Sequence, residues 1–111
     1  MTINIAETYD TAGIGTHHAQ QVIICYANST TADETGLAIA IVEVPEDSFV
    51  LSGGWYYQST TEAQRAFTVS FNGPTHLAGI TDYPAWGIFG YIPEGAPDTS
   101  FVAYAICAKL I

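Results

Sequence analysis

Gly36-Leu37-Ala38-Ile39-Ala40-Ile41-Val42-Glu43-Val44 is the stretch that decides the fold. Large and small side chains alternate along it with the period of two that belongs to a β-strand. Leu37, Ile39 and Ile41 share one face, while Ala38, Ala40, Val42 and Val44 share the other. Both faces are apolar, which is the mark of a strand covered on both sides. A second sheet supplies one cover, and another subunit is the natural source of the other.

Outward from this strand, turn residues cut the chain at roughly ten-residue intervals, the all-β signature. Residues 20–28 (QQVIICYAN) read as a strand and residues 29–35 as a polar turn. Pro45-Glu46-Asp47 is a turn with proline in a favoured position. Residues 48–58 (SFVLSGGWYYQ) form a strand in which Gly53-Gly54 marks a bulge or a close backbone approach. Over residues 66–71, Phe67, Val69 and Phe71 are expected inward and Ala66, Thr68 and Ser70 outward. Asn72-Gly73-Pro74 is expected to end that strand, with a long connection over 75–85. Residues 86–92 are a strand, 93–98 a turn and 99–110 the longest strand, with Val102, Tyr104, Ile106, Ala108 and Leu110 on one face. Near the N-terminus, residues 2–8 are a short edge strand or an extended arm, followed by a loop. The expectation is an all-β, antiparallel β-sandwich or jelly-roll-like fold of about seven strands. Residues 1–16 are the arm or edge strand plus loop, and 17–111 the sandwich. A chain of 111 residues holds one domain.

Composition narrows the function. There are 11 Asp and Glu against 2 Lys and Arg, a formal net charge of -9. Two cations cannot neutralise a phosphate backbone, which argues against sequence-independent nucleic-acid binding and adhesion to anionic membranes. No apolar stretch approaches the ~20 residues of a helical membrane span, so no insertion is expected. The 49% hydrophobic share excludes disorder. Residues 1–7 have neither the basic start nor the apolar run of a secretory leader. Charged residues are only 12%, and most acids fall in turns: Asp33, Glu34, Glu46, Asp47, Asp82, Glu94 and Asp98. Nearly neutral sheets with acidic rims suit a packed or stacked subunit better than a free enzyme.

Aromatic residues are the main candidates for binding. Trp55 and Tyr57 share a strand face, and Asp82-Tyr83-Pro84-Ala85-Trp86 sets two rings beside a carboxylate. Rings stack on the apolar faces of sugars and carboxylates hold their hydroxyls. Trp55, Tyr57, Asp82, Tyr83 and Trp86 are therefore glycan, interface or core candidates. Cys25 and Cys107 form one disulfide or remain two buried thiols, and spacing does not decide between them. Glu46 and Asp47 on one turn and Glu94 and Asp98 on another are weak Ca²⁺ candidates, provided that the turns meet. No other cofactor is expected. His17-His18 with His76 lacks any metal-ligand spacing, and adjacent strand residues point to opposite faces. No nucleophile motif is present, so no catalytic residue is assigned and no enzyme is expected.

Residues 44–109 resemble a family of small bacterial secreted or surface β-domains. The resemblance rests on the turn Val44-Pro45-Glu46-Asp47, the strand Phe49-Val50-Leu51-Ser52-Gly53-Gly54, the Tyr83-Pro84 loop, Ala85-Trp86 and the closing Val102-Ala103-Tyr104-Ala105-Ile106. It implies an extracellular β-domain with no catalytic residues to carry over. The chain departs from the pattern in lacking a third glycine after Gly54 and in carrying Cys107.

These readings together predict a non-enzymatic structural subunit of a virion or extracellular appendage. Its partner is a copy of itself, met through β edges, aromatic patches and an arm of Thr2, Ile3, Asn4 and Ile5 that adds to a neighbour's open sheet. The alternative is a lectin-like domain that binds a cell-surface glycan.

Overall fold

The computed structural model describes residues 3–11, 20–58, 66–76, 84–96 and 99–110. Among these, seven strands form: β1 (Asn4–Thr11), β2 (Gln20–Asn28), β3 (Leu37–Glu43), β4 (Phe49–Tyr57), β5 (Thr68–His76), β6 (Pro84–Tyr91) and β7 (Phe101–Leu110). Every pairing is antiparallel. The larger sheet runs β1-β2-β7-β4 and the smaller β3-β6-β5. The fold is an antiparallel β-sandwich.

Between the sheets lie Ala38, Ala40 and Val42 of β3, Val44 just beyond it, Ile88 of β6, Ile23 and Cys25 of β2, and Phe101, Ala103, Ala105 and Cys107 of β7, all buried. Small residues dominate this layer. At one end, Phe67 stacks on Phe101 with ring centroids 4.2 Å apart. The alternation of β3 therefore resolves with its small side chains inside. Its larger ones, Leu37, Ile39 and Ile41, sit half-buried on the outer face.

The turn before β3 is built by Asp33. Its Oδ1 accepts from the Thr35 amide (2.8 Å), the Thr35 hydroxyl (2.6 Å) and the Leu37 amide (3.0 Å). This is the local side-chain-to-backbone bonding that favours Asp in turns. Gly36 follows at φ +87°, in the left-handed region where glycine carries no Cβ penalty.

Two expectations need correction. β5 does not end at Asn72-Gly73-Pro74 but runs through to His76. It is an edge strand, where proline's missing N–H need not break the ladder. A bulge between Val69 and Phe71 also shifts its register. One extra residue reverses the facing of all that follow, so Phe71 points outward rather than into the core. Near the N-terminus, residues 4–11 are an edge strand paired with β2, and Ile3 packs against the core. Of strand and arm, the structure has the strand.

Candidate functional site

The outer face of the smaller sheet is built from alternate residues of three strands. β3 contributes Leu37, Ile39, Ile41 and Glu43, opposite Tyr91, Phe89, Gly87 and Ala85 of β6. β5 contributes Thr68, Phe71, Gly73 and Thr75 across from the same four residues. Gly73 and Gly87 face each other, and the rings of Phe71 and Phe89 lie over them. A Cβ on Gly73 would meet the Phe71 ring at 3.6 Å, and one on Gly87 the Phe89 ring at 3.3 Å. The two rings are 5.2 Å apart at 31°. Laid along the strands rather than standing off them, they make the face flat. Phe71 is 39% and Tyr91 48% exposed. Glu43 is the one acid on this face among the described residues, at its margin, and its Oε2 is buried with no hydrogen-bond partner.

The larger sheet has a second apolar outer face. The register places Val22, Ile24 and Tyr26 of β2 beside Val102, Tyr104, Ile106 and Ala108 of β7 and Phe49, Ser52, Gly54 and Tyr56 of β4. Phe49 and Tyr56 are each more than half exposed. Tyr104 leans over Gly54, where a Cβ would fall 2.6 Å from its hydroxyl. Tyr56 and Tyr104 lie 6.4 Å apart. Glu7, on the edge strand β1, is exposed at the margin.

Each of the four edge strands is blunted. β1 bulges between Ile5 and Glu7, and β4 between Val50 and Ser52. β5 carries both a bulge and Pro74. β3 is regular, but its first half is closed by the preceding loop. Thr30 donates its amide to the Ile39 carbonyl (2.9 Å) and accepts the Ile39 amide on Oγ1 (3.1 Å). Asp33 donates to the Leu37 carbonyl (3.0 Å) and takes the Leu37 amide. These are the devices by which sheets resist pairing with a neighbour.

Of the aromatic candidates, Trp55, Tyr57 and Trp86 are among the described residues. Trp86 turns inward over Gly53, and its indole N–H donates to Asn72 Oδ1 at 3.0 Å. The Gly53-Gly54 pair is thus a close approach on both sides of the sheet, with the bulge two residues earlier. Trp55 meets Tyr57, Phe67 and Phe101 edge-on at 5.0, 5.2 and 6.0 Å. Asp82 and Tyr83 lie outside the described residues, as do Thr2, His17, His18 and Asp98. His76 closes β5.

Antiparallel pairing separates the acidic turns. Glu46 and Asp47 follow the end of β3, whereas Glu94 follows the end of β6, at the opposite end of the β3–β6 pair. Seven paired residues put about 20 Å between them, too far for one Ca²⁺ ion. Asp47 lies 3.6 Å from the Lys109 ammonium. Glu94 and Asp33 instead line an open hollow of about 250 Å³ with Thr31, Ala32, Gly36, Ile92 and Pro93. No group of three metal-binding side chains occurs among the described residues.

Cys25 and Cys107 are free, fully buried thiols on neighbouring strands. Cys25 pairs with Ala105 and Cys107 with Ile23, so the two sit diagonally on the inner face. Diagonal Cβ atoms stand farther apart than a disulfide spans. The contact with Cys25 and then burial hold the Cys107 thiol far above its ordinary pKa. It therefore stays protonated and donates to Cys25, and neither sulfur reaches solvent.

Sequence reasoning missed Phe71, Phe89 and Tyr91 as surface residues. The signal was the pair Phe71-Asn72-Gly73 and Gly87-Ile88-Phe89, a ring two positions from a glycine on each of two strands. Chemically, what the two faces offer is burial of apolar surface. No family model, curated protein or solved structure matches this chain.

Proposed function

We propose that the protein is a non-enzymatic structural subunit that associates with copies of itself, as part of a virion or an extracellular appendage. The observation that carries this reading is the orientation of β3, with alanines inside and Leu37, Ile39 and Ile41 outside. Covering a Leu, Ile or Phe side chain stabilises by about 1.5–3 kcal/mol, and association must offset roughly 4–15 kcal/mol of lost freedom. A face of five such side chains and Tyr91, each already part-covered, reaches that range only when most of it is buried at once. An extended contact between flat surfaces does this.

The extracellular or virion setting is supported by the low charge content and by the resemblance over residues 44–109. The glycan-binding alternative has less support, because Trp86 is committed to Gly53 and Trp55 to the Phe67–Phe101 cluster. Sedimentation velocity over a wide concentration range tests the reading. Mass rising with concentration is expected, and a strict monomer up to ~1 mM overturns it.

A further inference from the structure

The two sheets are unequal, with four strands lying against three. β3 packs over β2 and β7, β6 over β7 and β4, and β5 over β4. β1 is paired to β2, and none of the described strands of the smaller sheet covers it. Ile5 pairs with the core residue Cys25, and Thr8 with the core residue Ile23, so both point toward the layer of the smaller sheet. Both are nevertheless exposed, Ile5 by 51%. Beside β3 and above β1, the place of a fourth strand is open.

β3 turns unpaired backbone toward that place. Leu37 and Ile39 direct both N–H and C=O away from β6, to Asp33 and Thr30. Period two sets the N–H and C=O of Ile41 and Glu43 on the same side. The Thr30–Asp33 cover stops short of them, and this half of β3 has neither bulge nor proline. The levels of edge and floor agree. β2 ends at Asn28, and Thr30 lies beside Ile39. Counted from there at equal rise, Ile41 is level with about Tyr26 and Glu43 with about Ile24. Ser48, just past β3, contacts Cys107, the partner of Ile23, which fixes the same level. On β1 this is the height of Ile5 and Thr8.

We infer that this lane takes an extended segment of another protein, added as a β-strand to residues 41–43 and laid over Ile5. The segment goes beyond self-association and does not depend on it. Its length is bounded by Thr30 beside Ile39 and by Pro45, six residues apart or about 20 Å. Its inward residues are apolar, to cover Ile5. Charge sets its outward residues. Glu43 stands at the open end of the edge, and its Oε2 has no hydrogen-bond partner. A Lys or Arg on the added strand, across from Glu43, makes the favourable cross-strand pair. A copy of this chain suits the lane poorly: it carries a formal -9 and has only Arg65 and Lys109 as cations, and Lys109 meets Asp47.

Amide NMR of the full chain, titrated with the peptide acetyl-Thr-Val-Lys-Val-Thr-Val-amide, tests this. In free protein the Ile41 and Glu43 amides should exchange quickly, whereas those of Ala40 and Val42, bonded to β6, should be protected. The peptide should shift and protect Ile41 and Glu43. N-methylation of its alternate residues, in the register that faces β3, should abolish binding. Ile5→Thr should weaken it, and Glu43→Lys should weaken it about two- to fivefold while favouring the same peptide with Glu in place of Lys. Each variant is checked for a cooperative melt, and Glu43→Lys, at the margin of the sheet, carries the test if Ile5→Thr does not fold. Ile41 and Glu43 amides protected in free dilute protein, or unmoved by peptide up to ~10 mM, overturn the inference. Binding indifferent to N-methylation overturns strand addition, and binding indifferent to Glu43→Lys overturns the cationic partner. Protection of these amides that grows with protein concentration alone gives the lane to a copy and overturns a different partner. Mass rising with concentration, with these amides still open and unmoved by peptide, overturns this inference and leaves self-association intact.

Discussion

Trp86 lies against the backbone of Gly53: a Cβ at residue 53 would sit within the indole ring system. The contact crosses from the smaller sheet to the larger, so the glycine sets how closely the sheets approach beside β4 and β6. Gly53→Ala should destabilise by about 1–3 kcal/mol, the usual cost of overpacking a filled interior. In a Trp86→Leu background the same change should cost clearly less, because the ring it displaces is gone. Urea unfolding of the four proteins measures the coupling. Equal costs in both backgrounds would show that the indole does not rest on residue 53.

Gly36 answers to a different constraint. It combines φ +87° with the Ile92 carbonyl oxygen 2.7 Å from where a Cβ would stand. Backbone cannot swing aside as a side chain can. Gly36→Ala should therefore lower stability by at least ~1 kcal/mol. Gly95→Ala, with nothing within 4 Å, is the matched control and should be neutral or slightly stabilising. Thermal melts of both compare them directly, and equal midpoints would remove the strain argument.

The sandwich was legible because seven short periodic segments stood between clear turns. The alternation of β3 also named the two faces correctly as sets. Which set faced inward was not legible: period two fixes that residues alternate, not which side meets the second sheet. β5 was misread for a local reason. Asn72-Gly73-Pro74 has turn chemistry, and only its edge position lets it continue the strand. A bulge is a one-residue event that periodicity cannot announce, so Phe71 was assigned to the wrong face. The acidic turns were found, but their separation depends on the β3–β6 register, which no local pattern encodes.

Cys25 and Cys107 should behave as two inaccessible thiols. With both side chains fully buried and Cys107 held protonated, native protein should react negligibly with a disulfide reagent at neutral pH. In denaturant under anaerobic conditions, both thiols should react. Finding no reactive thiol in denaturant would mean that the pair is bonded and that the diagonal geometry closes.

Asp33 links pH to the cover on β3. The Thr35 hydroxyl first, and the Leu37 amide next, hold its carboxyl below the ordinary value. Its bonds close the Leu37 end of the β3 edge. A carboxyl lowered in the fold stabilises it above the unfolded pKa of about 3.9, and that contribution is lost as pH falls through the lower folded value. At neutral pH the cover is therefore complete, and it weakens only under strong acid. The amide shifts of Thr35 and Leu37 should titrate together with a midpoint below the ordinary Asp value. In Asp33→Ala, Leu37 should lose protection from hydrogen exchange at neutral pH while β6 amides keep theirs. With part of its edge uncovered, the variant should also bind an amyloid dye on standing where wild type does not. An ordinary midpoint together with unchanged Leu37 protection in Asp33→Ala would show that Asp33 does not guard the edge.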